Sequence, residues 1–93
     1  MFVRWTPTAL NDLKVISHRI EQQRNLAAAN RVCRRIYAAI QDLRRHPHTG
    51  RPGIEEGTRE LVISHLPYIV VYRLEHSEAV EILRIWHGAQ DWR

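Results

Sequence analysis

The spacing of apolar residues changes once along this chain, and that change decides most of what it can fold into. Between Thr6 and Leu43 the apolar side chains recur every three or four residues, the period of a helix face; between Thr58 and His87 they alternate, the period of a strand. The two regions are separated by "HPHTGRPGIEEGT" (46–58), whose three glycines and two prolines suit neither element. A helical half and a sheet half in one short chain must cover each other's apolar faces. The expected class is therefore a two-layer α+β domain.

Local signals give the element order. "FVRW" (2–5) alternates and predicts a first strand. Thr6 is placed to cap a helix with Pro7 at its first position, and Leu10, Leu13, Ile16 and Ile20 form one apolar face. "EQQRN" interrupts that face. Asn25 caps a second helix with the stripe Leu26, Ala29, Val32/Cys33, Ile36, Ile40 and Leu43, and Pro47 ends it by disfavouring helical geometry at His46. The short connection makes the pair an antiparallel helical hairpin. Three strands follow over 58–66, 68–75 and 79–87, joined by turns at Leu66-Pro67 and His76-Ser77-Glu78, hence a three-stranded antiparallel meander. The N-terminal strand is expected to complete the same sheet. No domain boundary is visible, so residues 1–93 read as one domain.

Composition bounds the setting. No run of 18 apolar residues occurs and the first residues lack a signal-peptide core, so a soluble, cytoplasmic protein with no membrane partner is expected. The single Cys33 cannot form an internal disulfide, and "RVCRRIY" reads as an apolar helix position. The net charge is +4, and 13 of the 14 basic residues are arginine. Arginine's planar fork grips phosphate or carboxylate with two bonds, which fits a nucleic acid, a nucleoprotein machine or an acidic protein; a GC-rich coding bias gives the same composition.

Most catalytic signatures are missing. His46 and His48 have no nearby cysteine or carboxylate to complete a metal set, "GRPG" lacks the lysine and strand–helix setting of a phosphate loop, and neither Gly-x-Ser-x-Gly nor His-Glu-x-x-His occurs. Ser64 and His65 on one strand would face opposite ways. No metal or cofactor is expected. The remaining lead is arginine: Arg59, Arg73 and Arg84 fall on three neighbouring strands, close enough to converge on one anion if they share a face. Strict alternation places Arg73 away from Tyr68 and Tyr72, and Arg84 with Ile82 and Trp86. Tyr68 and His87 can handle protons, and cations around a phosphate would complete the parts for RNA cleavage. The alternative is that Arg73 pairs with Glu75 or Glu81 and merely solvates the sheet.

"GTRELVISHLPYIVVYRL" and "EILRIWHGAQDW", following a helical hairpin that ends "HPHTGRPG", resemble the RelE/ParE family of bacterial toxins over nearly the whole chain. The resemblance implies a curved, mostly antiparallel sheet backed by the hairpin. It implies the toxin half of a type II toxin–antitoxin pair, of the kind linked to plasmid stabilisation and growth arrest, with a cognate antitoxin whose acidic or amphipathic segment wraps the toxin. Operator DNA would then be bound only through the antitoxin. Within the family one branch poisons DNA gyrase and another cleaves mRNA on the ribosome. Where nuclease members carry cations, this chain has Ile69 and, on the preceding strand, Glu60 and Val62. A carboxylate there repels phosphate. The expectation leans to a gyrase inhibitor without chemistry of its own. The alternatives are a ribosome-dependent endoribonuclease, with Arg59, Arg73, Arg84, His87 and Tyr68 as its catalytic set, and an inactive homologue that serves only as an antitoxin-binding co-repressor.

Overall fold

The computed structural model describes residues 1–76 and 78–88. Its elements are β1 (Phe2–Trp5), α1 (Pro7–Gln23), α2 (Leu26–Asp42), β2 (Arg51–Pro52), β3 (Thr58–Val62), β4 (Tyr68–Leu74) and β5 (Ala79–His87). The strands form one sheet in the order β1-β5-β4-β3-β2. β1 runs parallel to β5, and every other pair is antiparallel. The α+β class, the hairpin, the meander and the inclusion of the first strand all agree with the sequence expectation. No helix among the described residues is long and apolar enough to cross a membrane.

Both helix caps form as the sequence implies. Thr6 Oγ1 accepts from Ala9 N at 3.1 Å, and the same hydroxyl donates to Ile82 O at 2.8 Å, so one side chain starts α1 and ties it to β5. Asn25 Oδ1 accepts from Ala28 N at 2.8 Å. The buried faces depart from the predicted stripes at each helix start: Leu10 and Leu26 are exposed, while Ala9 and Ala28, outside those stripes, are buried together with the predicted Ala29. The Thr6 bonds hold the start of α1 against β5, and Ala9 is fully buried there.

The meander also departs from its predicted limits. β3 stops at Val62 rather than 66, because His65 takes a left-handed φ of 63° and residues 64–67 make the turn. Ser64 and His65 are therefore turn residues and do not alternate on a strand. β2 was hidden in the glycine-rich loop, because two residues with a proline carry no periodicity; Arg51 lies opposite Glu60 and Pro52 opposite Arg59. Ser77 of the last predicted turn, and the residues after Gly88 in the closing stretch, lie outside the described residues.

One irregularity matters for the site. Val71 pairs with Arg84 but the next residue, Tyr72, pairs with Ile82, so Leu83 is skipped. This β-bulge reverses the alternation along β5. Ile82 and Ile85, three apart, thereby both reach the core. Against them pack Ala9, Ile16, Ile36, Ile40 and Leu43 from the hairpin, and Tyr68, Val70 and Tyr72 from β4. Ile16 and Ile36 are among the side chains that join the layers, and each such side chain taken from water contributes roughly 1.5–3 kcal/mol.

Candidate functional site

The sheet has a helix-covered face and an outer face. Register assigns residues to each, since directly paired residues project to the same side. Tyr68, Val70 and Tyr72 lie on the covered face, with Arg59 opposite Tyr72. Ile69, Val71 and Arg73 lie on the outer face, with Trp86 opposite Ile69, Arg84 opposite Val71 and Glu60 opposite Val71 on the other flank. Because of the bulge, Arg84 shares its side with Trp86 but not with Ile82, contrary to strict alternation.

The three sheet arginines go to three separate places. Arg59 turns under the 46–58 loop and donates to Gly50 O at 2.7 Å and His48 O at 3.3 Å. Arg73 donates through Nε to Glu81 Oε1 at 2.9 Å and also lies 3.5 Å from Glu75. Arg4 of β1 reaches the same two carboxylates, which completes a network across three strands. The Arg4 contact and the neighbouring Arg73 hold the Glu75 carboxyl below its usual value. Arg84 is held by Asp12 of α1: Nε to Oδ2 is 2.8 Å and Nη2 to Oδ1 is 3.2 Å.

Asp12 was not singled out by sequence reasoning, and its role follows from where β1 ends. β1 stops at Trp5 opposite Ile82, so the next part of β5 has no strand on that side. Asp12 Oδ2 fills the gap by accepting from Ile85 N at 2.9 Å. A carboxylate in the second turn of α1 thus acts as a substitute for strand backbone and fixes Arg84 at the same time. Held there, the Arg84 guanidinium lies 4.1 Å from the Trp86 ring centre.

Arg84 and Trp86 form one wall of a cleft of about 300 Å³ on the outer face. Val71 and Leu83 are its floor, and Ile54, Glu55 and Thr58 close the opposite side. Glu60 also lines it. Its side chain is only 1% exposed and is paired with Arg51 at 3.0 Å, while Arg51 itself stays half exposed. The sequence marked Glu60 only as a missing cation; a buried carboxylate under a covering arginine is a tertiary fact. Ile54 and Val62 add exposed apolar surface nearby.

Tyr68 and His87 do come together. They are register partners, with ring centres 5.4 Å apart and planes at 84°. His87 remains in the ladder, so it and Arg84 project to opposite sides of β5. Burial pushes the Tyr68 hydroxyl above its ordinary pKa, with Arg19 partly opposing, so the phenol is neutral at physiological pH.

This fold is shared with solved toxin–antitoxin proteins. A chain of the chromosomal ParDE system of P. aeruginosa superimposes with a TM-score of 0.86 and 25% identity, covering 94% of this chain and 95% of that one. A chain of the RelBE2 toxin–antitoxin complex of Mycobacterium tuberculosis gives 0.62 and 32%, covering 92% and 95%. The class is a toxin of a type II toxin–antitoxin system. Residues 3–92 match the model of the family described as "ParE toxin of type II toxin-antitoxin system, parDE", and the chain belongs to that family. It is also 46% identical over 90 residues to the Sinorhizobium fredii protein named "Putative toxin Y4kP", covering 97% of this chain and 91% of that protein.

Proposed function

We infer that this toxin arrests growth by binding DNA gyrase, and that a cognate antitoxin restrains it. The observation that carries this reading is the chemistry of the outer face. Its arginines are each engaged with a carboxylate of the same chain: Arg73 with Glu81, Arg84 with Asp12, Arg51 with Glu60. Besides these ion pairs the cleft offers a partner Val71, Leu83, Ile54 and Trp86, with Glu55 and Thr58 beside them. An apolar, internally neutralised surface suits a protein target; a phosphate in its transition state needs cations aimed at it. Ile69, on the same face, supplies no charge. The antitoxin would compete for this surface with apolar anchors, folding as it binds.

A second reading, a ribosome-dependent endoribonuclease, is favoured by one contact, the Tyr68–His87 pair. A neutral phenol beside an imidazole can handle protons, although Arg59, Arg73 and Arg84 are not gathered around it.

Controlled induction without antitoxin separates the two. With DNA and protein synthesis labelled in parallel, DNA synthesis should stop first, and purified toxin should inhibit supercoiling by gyrase. Immediate translation arrest with new mRNA 5′ ends, abolished by His87→Ala, would overturn the gyrase reading. Growth unaffected by abundant folded protein would instead identify an inactive homologue.

A further inference from the structure

The chain's positive charge is not spread over the molecule. Residues 7–45, the helical hairpin and its exit, hold eight Lys or Arg against three Asp or Glu; the remainder holds six against seven. The whole excess therefore sits on the helical layer, and the sheet with its loop is close to neutral. The ion pairs described above all use sheet arginines. Among the described residues, Arg24, Arg31, Arg34 and Arg45 have no ion-pair partner, and all four are exposed.

The pattern is sharpest on α2. Arg31, Arg34 and Arg35 are spaced so that they crowd one exposed side of the helix, and no carboxylate occurs on α2 before Asp42. Solvent-facing helices ordinarily mix signs at these spacings, because like charges three and four apart are destabilising. Arg35 is tethered to Ser64 O of the β3–β4 turn, whereas Arg31 and Arg34 are not tethered. The neighbours of this row are Ala27, Asn30 and Ala38, all exposed. Small side chains between arginines let the helix backbone lie close to a flat charged surface; the large apolar residues that α2 exposes are Leu26 and Tyr37. With Arg24 before α2 and Arg45 after it, the cations extend along the full 17-residue helix, roughly 25 Å.

We propose that the exposed face of α2 is a contact surface for the phosphate backbone of duplex DNA, used alongside the outer sheet face rather than in place of it. The duplex is preferred to a single strand because Tyr37 is the sole exposed aromatic on α2, too little for base stacking. The choice of DNA over RNA rests on the gyrase reading, since gyrase works on duplex DNA. The contact carries no sequence information, so operator recognition stays with the antitoxin.

The test uses the full chain without gyrase and a 20-base-pair DNA duplex, with affinity measured by fluorescence anisotropy across salt concentrations. Binding should weaken with salt, and R31Q/R34Q should lower the slope of log affinity against log salt by roughly two. R31K/R34K should retain the slope, and Arg4→Gln, on the sheet, should leave it unchanged. Circular dichroism confirms that each variant is folded. No binding, an unaltered slope in R31Q/R34Q, or tighter binding to duplex RNA or polyglutamate would overturn the proposal. Intact DNA binding with no effect on gyrase supercoiling would uphold this contact and remove the target reading instead.

Discussion

Tyr72 is fully buried and uses its hydroxyl twice. It donates to Pro47 O at 2.7 Å and accepts from Gly50 N at 2.9 Å, so the loop after α2 is pinned to the middle of β4. Gly50 is required by proximity: a Cβ there would stand 2.6 Å from the Tyr72 hydroxyl and 2.9 Å from Glu60 O. Tyr72→Phe leaves one donor and one acceptor without their partner, and should cost roughly 1–3 kcal/mol in chemical denaturation. The same residue sets an alkaline limit. Burial raises the Tyr72 pKa above 10.0, against the opposing Gly50 bond and Arg59, and Tyr68 is raised in the same direction. The folded state then holds protons that the unfolded chain releases, so the stabilisation is complete below pH 10 and is lost as the pH rises through the folded-state value. Denaturation midpoints between pH 9 and 11 should fall more steeply in the wild type than in Tyr72→Phe. Equal slopes would show that Tyr72 is not responsible. The sequence placed Tyr72 on the face of its strand away from Arg73 but could not show the hydroxyl's partners, which lie 22 and 25 residues away.

At the scale of elements, β5 is the central organiser. It pairs with β1 on one side and β4 on the other, and its bulge decides which side chains reach the outer face. "ILRI" was legible as an interior strand, and both isoleucines were correctly apolar, yet a regular strand cannot bury residues three apart on one face. The bulge resolves that conflict, and it is the reason Arg84 faces outward with Trp86. Deleting Leu83 removes the bulge and places Ile82 and Ile85 two apart, still opposite Tyr72 and Val70, so a regular ladder keeps both in the core. The deletion should therefore cost less than the roughly 2–5 kcal/mol of emptying a buried isoleucine position, which Ile82→Ala measures in chemical denaturation. A deletion that costs as much as Ile82→Ala would show that the core depends on the bulged residue itself. The helix hairpin was read more completely, because its caps and breaks are local: as caps, Thr6 and Asn25 bond backbone three residues ahead.

The whole molecule is polarised, with a cationic helical layer over a sheet whose charges are compensated internally. Repulsion within the hairpin is exposed and screenable. Raising the salt from about 0.01 M to about 0.15 M shortens the Debye length from about 30 Å to about 8 Å and should raise the melting temperature. The sheet's network of Arg4, Arg73, Glu75 and Glu81 lies mostly at the surface, where such pairs contribute little, so its weakening should not reverse the trend. A melting temperature that falls with salt would contradict this distribution of charge. The sequence by itself determined the element order apart from β2, the caps, the two-layer class and the family resemblance, since periodicity and capping depend on neighbours a few residues apart. It also revealed the candidate residues. Only the tertiary structure decided that Arg59, Arg73 and Arg84 diverge, that Glu60 is buried under Arg51, and that Asp12 completes the edge of β5. Each of these depends on register and on contacts between distant segments, and a single skipped residue at Leu83 is enough to change which face a side chain occupies.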